Sequence, residues 1–569
     1  MLNIYNRKDA LPEETIKRIK KILKDNKIKV KESKIININN SVFSVRLELK
    51  SIPGVGTNGK GITKEYALAS AYAEFMERLQ TKFLLKASFL NKENEKKAFC
   101  DEFYIDYNEF IKNEKIVKND YIDELMKNNV DYCYITPFYD LLNNCYINLP
   151  VKVINLLTHS NGLSSGNTKE EALVQGICEI FERFCYKEIM FKELELPTIM
   201  IDDIETLNVY EHLQHLNKLG FSYEIKDCSL NGKFPVVGII IYDSTKKKYL
   251  FSIGADPDFN IALQRCITEI LQGISTGNIE NKMKSLNNEY ENNKCLYGKE
   301  FLLTNWLQCY SSNTGIHPKS LFSNKERVNL TKLPFYDVQD NKQALDILLN
   351  IIRKEGLKIY IKDYSYLGFD TYRTYIPILS EIDELDTLKY ELSCNINQLR
   401  EMYFNISNPE NMLNNKLEKI LFKLSTSKRY KELILPNNVF NVNNCIDCDY
   451  INMNFFYILL IKLFLTKNYN KAVDYINITL ENNAIGDYEK EYLNCVKSIL
   501  NKNDCLEKYS KLMIKDSNKL IFNTEEYLKS LNAPTCPNCN NCKSRCKYNE
   551  WKFLNELIYN RSKNYTTLQ

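Results

Sequence analysis

The sequence of 569 residues predicts an α/β protein that contains a duplicated helix motif and continues into an all-α region and a short cysteine-rich tail. Short apolar runs alternate with helical patterns from residue 51 to about 381, which is typical of a mixed α/β domain. After about residue 400 the apolar residues recur at helical spacing. We therefore divide the chain into an N-terminal region (1–50), an α/β domain (51–400), a helical region (401–530) and a tail (531–569).

Composition and charge indicate a globular protein that binds neither nucleic acid nor membrane. A hydrophobic content of 44% and a charged content of 26% are ordinary. The net charge of +4 is small, and no Lys/Arg block is dense enough to follow a phosphate backbone. No apolar run reaches a membrane-spanning length, and no secretion signal accompanies the 18 cysteines. We expect a cytoplasmic protein whose scattered thiols are reduced.

The N-terminal region predicts a helix followed by strands. Residues 11–27 alternate Lys and Ile at helical spacing, and strand-like segments follow at 28–30 and 41–49.

One motif of 18 residues occurs twice in the α/β domain, at Gly61–Arg78 and at Gly166–Arg183. Nine of the 18 residues are identical at a constant offset of 105. Each copy begins with glycine, has threonine in the N-cap position and ends in Glu-x-x-Glu-Arg. The recurrence predicts two helices with the same packing and the same polar face.

The two copies supply the acidic pairs Glu74/Glu77 and Glu179/Glu182. Residues three apart share one face of a helix, so two facing helices would collect four carboxylates. Such a cluster stays ionised only with a cation, and ligands that are all oxygen favour Mg²⁺. For a single copy, a solvent-facing Glu–Arg salt bridge is the common alternative. Its recurrence with the same glycine and threonine argues against that interpretation.

The segments before the two helices carry candidate phosphate contacts. The glycine-rich stretch 54–61 lacks the hydroxyl residue that a P-loop places after its lysine, because Gly61 stands there. Backbone N–H groups with Lys60 could still hold phosphate, and a plain glycine turn is the alternative. Ser164 and Asn167 could meet a phosphate or a sugar. Glu171 forms a capping-box pattern with the preceding threonine, so a capping role and ligand contact both remain open.

A third segment repeats the polar design without the same sequence. Arg265 and Glu269 lie four residues apart, and Gln272 follows one turn later. We expect this helix to add one acid and one phosphate-neutralising arginine, with a surface pair as the alternative. The histidines fall in no metal or nucleophile spacing, and we expect each to be structural: His159, His212, His215 and His317.

These motifs resemble the signature blocks of the YcaO family, specifically its stand-alone bacterial type with a helical-repeat C-terminal region. Residues 57–78, 160–183 and 262–272 match in order, and 359–377 resembles that domain's closing strands. The resemblance implies a YcaO-type ATP-binding fold in which acids hold Mg²⁺ against the triphosphate. It assigns Mg²⁺ to Glu74, Glu77, Glu179 and Glu182, and the nucleotide to Lys8, Ser70, Ser164, Asn167, Glu171, Arg183, Arg265 and Glu269.

The resemblance also implies a reaction. Family members activate a peptide-backbone amide, whose oxygen takes the γ-phosphate as a nucleophile attacks, giving azolines, amidines or thioamides. Phosphoryl transfer needs positioning and charge neutralisation more than a side-chain nucleophile, and no catalytic side chain is assigned from the sequence. The chain ends in 564–569 without the proline-rich tail of azoline-forming members, which makes cyclodehydration the less expected outcome.

The alternative function is a nucleotide-binding accessory factor for β-methylthiolation of an aspartate in a small-subunit ribosomal protein. Under the two hypotheses the expected partners are a peptide or ribosomal-protein substrate and a sulfur-transfer or radical methylthiotransferase protein, and the resemblance implies a homodimer. In the helical region, residues 469–477 resemble a tetratricopeptide-type helix pair.

The tail carries a metal-binding pattern that the family resemblance does not explain. The spacing C-x₂-C-x₂-C-x₃-C matches a bacterial ferredoxin run, with Lys547 where that pattern has proline. It predicts zinc or an iron–sulfur cluster. Cys445 and Cys448 could complete a zinc site with two of the four, or could be an unrelated pair. The four cysteines are Cys536, Cys539, Cys542 and Cys546.

Overall fold

The computed structural model describes residues 7–38, 42–85, 98–106, 132–202, 204–207, 209–271, 279–323, 326–384, 387–404, 406, 415–426, 446–447, 453–481, 486–502, 505–531 and 545–566. The strands in these ranges are β1 (Val30–Glu32), β2 (Ile36–Ile38), β3 (Val42–Leu49), β4 (Gly56–Gly61), β5 (Phe103–Asp106), β6 (Tyr132–Asp140), β7 (Cys145–Pro150), β8 (Leu163–Gly166), β9 (Thr198–Met200), β10 (Ser222–Asp227), β11 (Val236–Tyr242), β12 (Lys248–Ala255), β13 (Lys284–Ser285), β14 (Arg327–Asn329), β15 (Tyr360–Asp363), β16 (Asp370–Tyr375), β17 (Ile446–Asp447) and β18 (Arg545–Cys546).

The helices are α1 (Pro12–Asp25), α2 (Lys64–Gln80), α3 (Val151–Thr158), α4 (Lys169–Lys192), α5 (Tyr210–Lys218), α6 (Phe259–Leu271), α7 (Glu289–Ser312), α8 (Ser320–Ser323), α9 (Asn341–Lys354), α10 (Thr387–Cys394), α11 (Ile396–Phe404), α12 (Asn415–Thr426), α13 (Phe455–Leu465), α14 (Tyr469–Glu481), α15 (Asp487–Leu500), α16 (Lys511–Phe522), α17 (Thr524–Ser530) and α18 (Tyr548–Thr566).

Three sheets build the α/β part. In the first, β3 pairs with β1, β2 and β4, all antiparallel. The second follows the order β13-β12-β11-β10-β9-β14 and is antiparallel except for the parallel pair of β9 and β14. The third follows the order β5-β6-β15-β16-β8, with β7 also on β6, and is antiparallel throughout. The predicted mixed α/β character is confirmed.

The duplicated motif forms two equivalent units in which a strand runs into a helix and packs on it. In β4 and α2, a Cβ added at Gly61 would lie 2.6 Å from the backbone nitrogen of Ala67. In β8 and α4, a Cβ at Gly166 would lie 2.7 Å from that of Ala172. The repeated glycine is therefore required by close backbone approach.

Both helices of the motif begin at a threonine cap, as predicted. The Thr63 hydroxyl accepts a hydrogen bond from the N–H of Tyr66 at 3.2 Å, and the Thr168 hydroxyl accepts one from the N–H of Glu171 at 3.2 Å. These bonds satisfy one of the free N–H groups of each first turn.

A third strand–helix unit, β12 and α6, repeats the arrangement. A Cβ at Gly254 would lie 2.4 Å from the carbonyl oxygen of Ala262. The site helices α2, α4 and α6 are thus each fixed by a strand that immediately precedes them.

One apolar cluster joins the two ends of the chain. It includes Ile19 of α1, Leu79 of α2, Leu459 of α13 and Ile558 of α18. A second cluster packs α4 against the sheet strands β11 and β12 and the helices α7 and α9. The helical region therefore shares a core with the start of the chain instead of forming an isolated body.

The helical region consists of successive helices that pack on their neighbours, from α13 to α17. Helix α13 is buried on nearly every face, as the sequence predicted for this apolar segment. None of the helices in the ranges given above combines the length and the apolar character that a bilayer crossing requires. Resemblance of α14 and its neighbours to tetratricopeptide repeats stays a prediction.

Candidate nucleotide and magnesium site

A cavity of about 2160 Å³ lies where α2, α4 and α6 meet the N-terminal segment. It is lined by most of the side chains that the sequence singled out: Lys8, Ser70, Glu74, Glu77, Asn167, Glu171, Glu179, Glu182, Arg183, Arg265 and Glu269.

Helix α2 supplies the first acidic pair together with an arginine. The Arg78 Nε lies 3.6 Å from Glu74 and 3.3 Å from Glu77. Glu77 is only 8% exposed, so the interpretation as a solvent-facing salt bridge does not hold. Burial raises the pKa of Glu77 to about 8, and it also raises the pKa of Glu74.

Helix α4 repeats the arrangement at the same cavity. Arg183 Nε lies 3.8 Å from Glu182, and its guanidinium stacks 5.0 Å from the ring centre of Tyr310. Burial raises the pKa of Glu182 to about 7 and raises the pKa of Glu179. The negative charge of Glu179 contributes to the raised pKa of Glu77, so the acids of the two helices are close enough to interact.

Helix α6 contributes a fifth carboxylate. Glu269 forms an ion pair with Lys60 of β4. Burial raises the pKa of Glu269, but the charges of Lys60 and Arg183 outweigh burial and hold that pKa below its ordinary value. The charge of Glu269 also raises the pKa of Glu182 and Glu179. Glu269 therefore lies close to the acids of α4, and its role as a nucleotide contact stays a prediction.

Several arginines present unpaired donors at the same cavity. The buried atoms Arg7 Nη1, Arg78 Nη1 and Arg183 Nε have no hydrogen-bond partner. Buried donors are normally satisfied, so these point to an anion with many oxygens. Arg265 is held in place, because its Nη2 donates to Gln175 at 2.7 Å and lies 3.8 Å from Asp256.

The carboxylates are suitable ligands for a divalent cation, because their oxygens are hard donors and one of these oxygens accepts no hydrogen bond. The buried Glu77 Oε1 lies 3.3 Å from Arg78 Nε in an ion pair but accepts no hydrogen bond. Within the described ranges, no three His, Cys, Asp or Glu side chains are grouped as a ready metal cage. Arg78 engages both of its acids and Arg183 engages Glu182. The structure thus brings the predicted ligands to the lining of one cavity.

The N-terminal segment closes one side of the cavity over α4. The carboxylate of Glu171 accepts from the backbone N–H of Asp9 at 2.9 Å and lies 3.1 Å from Lys8 Nζ. Asn167 Oδ1 accepts from the Thr15 hydroxyl at 2.8 Å. Glu171 therefore binds the N-terminal segment instead of completing a capping box with its own carboxylate.

Two predicted serines differ in position. Ser70 lines the cavity from α2. Ser164 is fully buried, its hydroxyl has no partner, and it does not belong to the lining. Its neighbour Ser165 lines the cavity instead, with its hydroxyl donating to the Ala73 carbonyl at 2.9 Å. Alternation along β8 places consecutive residues on opposite faces, which explains the exchange.

Sequence reasoning missed residues that complete the site. Asp256 is fully buried and anchors Arg7 at 2.9 Å, a contact between residues 249 positions apart. Arg373 of β16 is buried, and its charge lowers the pKa of Glu77. Neither belongs to a repeated pattern, so only the tertiary fold reveals them. Tyr310 was missed for the same reason.

The predicted tail site lies mostly outside the described residues, including Cys536, Cys539 and Cys542. Cys546 is exposed and ends β18, which pairs with Ile446–Asp447 of β17. The metal prediction for the tail stays a prediction.

Residues 58–380 match the family described as YcaO cyclodehydratase, ATP- and Mg²⁺-binding. The match covers more than half of the chain, and the chain therefore belongs to the YcaO family.

Two curated proteins are similar over most of the chain. The ribosomal protein S12 methylthiotransferase accessory factor YcaO of Escherichia coli is 29% identical over 431 residues, which is 71% of this chain and 70% of that protein. An uncharacterized protein of Haemophilus influenzae is 28% identical over 413 residues, 67% of each chain.

Two solved structures are similar to this chain at low sequence identity. YcaO from Methanopyrus kandleri bound with AMPPCP and Mg²⁺ has a TM-score of 0.45 and 17% identity, covering 67% of this chain and 94% of that one. A heterocyclase in complex with substrate and cofactor has a TM-score of 0.45 and 16% identity, covering 69% of this chain and 57% of that one.

Proposed function

We propose that this protein uses ATP and Mg²⁺ to activate a backbone amide of a peptide for thioamide- or azoline-type modification. The observation that carries the proposal is one cavity lined by five carboxylates, two of them buried, together with arginine N–H groups that make no hydrogen bond. Acids of this kind suit a hard cation, and the arginines suit phosphate oxygens.

Within this proposal each group has a defined task. Glu74, Glu77, Glu179 and Glu182 hold Mg²⁺, which when bound neutralises phosphate charge. Arg7, Arg78 and Arg183 direct their unpaired N–H groups at the triphosphate. Because phosphoryl transfer depends on positioning and neutralised charge, the site needs no side-chain nucleophile.

The size of the cavity supports a second ligand beside the nucleotide. Sites for one small ligand usually occupy about 300–1,000 Å³, whereas this cavity measures about 2160 Å³. Its lining extends from the acids to Leu392 of α10 and Ile396 of α11. A peptide segment is the occupant that amide activation requires.

The accessory role is the second candidate, favoured by the similarity to the E. coli accessory factor over 70% of that protein. In that role nucleotide binding would set the conformation, while the helices α12–α17 recruit a ribosomal or methylthiotransferase partner. A homodimer and a sulfur-transfer partner belong to the same set of proposals.

One assay separates the two functions. The full chain is incubated with ATP, Mg²⁺, sulfide and peptides of ribosomal protein S12. The masses of the peptides are then measured by mass spectrometry. Exchange of one oxygen for sulfur, or loss of one water, supports the enzyme. Unchanged masses despite nucleotide binding contradict the enzyme and favour the accessory factor.

A further inference from the structure

A histidine and a carboxylate form a pair on the wall of the same cavity. His159 Nε2 lies 3.3 Å from Asp383 Oδ2, and both residues line the cavity. The histidine side chain is 44% exposed, whereas the aspartate side chain is only 9% exposed. The arrangement leaves an accessible imidazole held from behind by a buried carboxylate.

The aspartate is rigidly placed. The backbone N–H groups of Ile382 and Asp383 donate to the Leu157 carbonyl at 2.9 and 3.1 Å, and the Trp306 indole donates to the Ile382 carbonyl at 2.7 Å. Lys389 Nζ donates to the same carboxylate oxygen at 3.0 Å. Asp383 thus has a fixed position from which to orient the imidazole.

The backbone of His159 adopts a conformation that L-residues rarely adopt. At the end of α3 its φ is 47° and its ψ is −115°. Arg373 fixes this conformation by donating to the His159 carbonyl at 3.1 Å and to the Thr158 hydroxyl at 2.8 Å. Strained backbone of this kind persists where surrounding contacts impose it, and it is common at functional sites.

The pair is connected to the arginines and acids of the cavity. Ser160, the next residue, contacts the Tyr310 hydroxyl through its own hydroxyl at 3.1 Å. The Tyr310 ring lies under the Arg183 guanidinium. Arg373, which anchors His159, acts electrostatically on Glu77.

We propose that His159 is the general base that accepts the proton of the nucleophile attacking the amide, with Asp383 and Lys389 as positioning residues. The proposal rests on the amide-activating function proposed above. A cavity-lining imidazole with one nitrogen bound to a carboxylate keeps its other nitrogen for proton transfer.

The proton and electron balance is complete without a further reactant. The S–H or O–H bond of a thiol, hydroxyl or hydrogen sulfide breaks, its proton passes to His159, and its electron pair forms the bond to the amide carbon. The amide oxygen takes the γ-phosphoryl group of ATP, ADP leaves, and the C–O bond then breaks to release phosphate. The proton lost as C=N or C=S forms leaves with that phosphate, and the proton held by His159 passes to solvent, which regenerates the base.

The test uses His159→Gly with added imidazole, in the S12-peptide assay given above. Glycine favours a positive φ, so this variant keeps the local backbone. We expect normal AMPPCP binding in the presence of Mg²⁺, a fall of about 100-fold in the rate of peptide modification, and partial recovery with imidazole. The matched control His215→Ala, on α5 and outside the cavity lining, keeps the wild-type rate.

The pH profile gives a second measurement. At ATP and Mg²⁺ concentrations that saturate the site at every pH, we expect the low-pH limb of the rate to disappear in His159→Gly and to shift in Asp383→Asn. Charged groups facing the pair come from three elements: Lys389 of α10, Arg373 of β16 and Lys187 of α4.

Two outcomes would overturn the inference and are distinguishable from failure of the proposed function. If His159→Gly modifies the peptide at the wild-type rate, His159 is not the general base. If the rate is lost and imidazole does not restore it, the role of His159 is structural. A wild type that binds AMPPCP and modifies no peptide contradicts amide activation itself.

Discussion

At the residue scale, the buried carboxyl groups hold protons that a cation must displace. The pKa of Glu77 is raised by burial to about 8 and that of Glu182 to about 7, against an ordinary value of 4.5. Between about pH 4.5 and pH 8, the folded protein without metal therefore binds more protons than the unfolded chain. Its stability falls as pH rises from about 4.5 towards 8, because the unfolded state releases these protons first.

This protonation predicts a pH-dependent affinity. Binding of AMPPCP with Mg²⁺ should strengthen from pH 6 to pH 8, by roughly tenfold per pH unit while one proton is displaced. Calorimetry in buffers of different ionisation enthalpy should detect the released proton. Glu77→Gln should reduce the proton release, and a pH-independent affinity in the wild type would contradict the assigned ligands.

At residue scale the sequence identified acids that occur in a repeated pattern. Glu74, Glu77, Glu179 and Glu182 lie in the duplicated motif, so their common cavity could be predicted from spacing. Asp256 and Arg373 reach the site through sheet pairing and a contact with the distant N-terminus, which no local pattern encodes. His317 is buried between the hydroxyls of two tyrosines, as predicted for a structural histidine, whereas His159 lines the cavity.

At the element scale, the strand–helix units set the geometry of the site. Their glycines allow the backbone of each strand to touch the first turn of its helix. The sequence predicted these units because glycine, threonine and the acids recur together at one offset. The strand orders within the sheets were not predictable, since many pairings of short strands bury the same apolar faces.

A glycine substitution tests this packing. Gly166→Ala should lower the free energy of unfolding by about 1–3 kcal/mol, because the added methyl meets backbone atoms that cannot move aside. Denaturation in urea measures the change. Gly486→Ala is the control, since a Cβ there meets nothing within 4 Å. Equal loss of stability in both variants would refute the packing account.

The tail prediction is also tested at this scale. Purified full-length protein should contain about one equivalent of zinc, or iron with acid-labile sulfide, bound by four thiolates. Elemental analysis distinguishes the metals, and Cys539→Ser should remove the metal, whereas Cys295→Ser, at an exposed cysteine of α7, should not. Metal-free wild type prepared without chelator would show that the clustered cysteines are incidental.

At the scale of the whole molecule, the last helix ties the C-terminal part to the α/β domain. The Tyr565 hydroxyl donates to Asp363 of β15 at 2.8 Å, and Arg561 donates to Asn26 at 3.0 Å. Apolar residues of α18 join the same cluster as α1 and α2. The predicted domain boundaries remain predictions. The core that α18 shares with α1 and α2 could not be predicted, because composition along the chain does not show which distant segments pack together.

Removal of α18 should therefore destabilise a distant region. Deletion of residues 547–569 removes the apolar residues that α18 adds to the cluster shared with α1 and α2, and we expect the Tm to fall by several degrees. Tyr565→Phe, which removes only one hydroxyl, should change the Tm by far less. Differential scanning fluorimetry compares them, and an unchanged Tm after deletion would show that α18 contributes nothing to the fold.

The central claim is that α2 and α4 jointly hold a magnesium–nucleotide complex. Isothermal titration of AMPPCP into the full chain with Mg²⁺ tests it most directly, using Glu179→Gln and, as control on the same helix, Glu188→Gln, whose carboxylate pairs with Lys192. We predict magnesium-dependent binding in the wild type and control, and affinity weakened by about 100-fold, or about 2.7 kcal/mol, in Glu179→Gln. Equal affinity in all three proteins, or no binding by the wild type, would contradict the account.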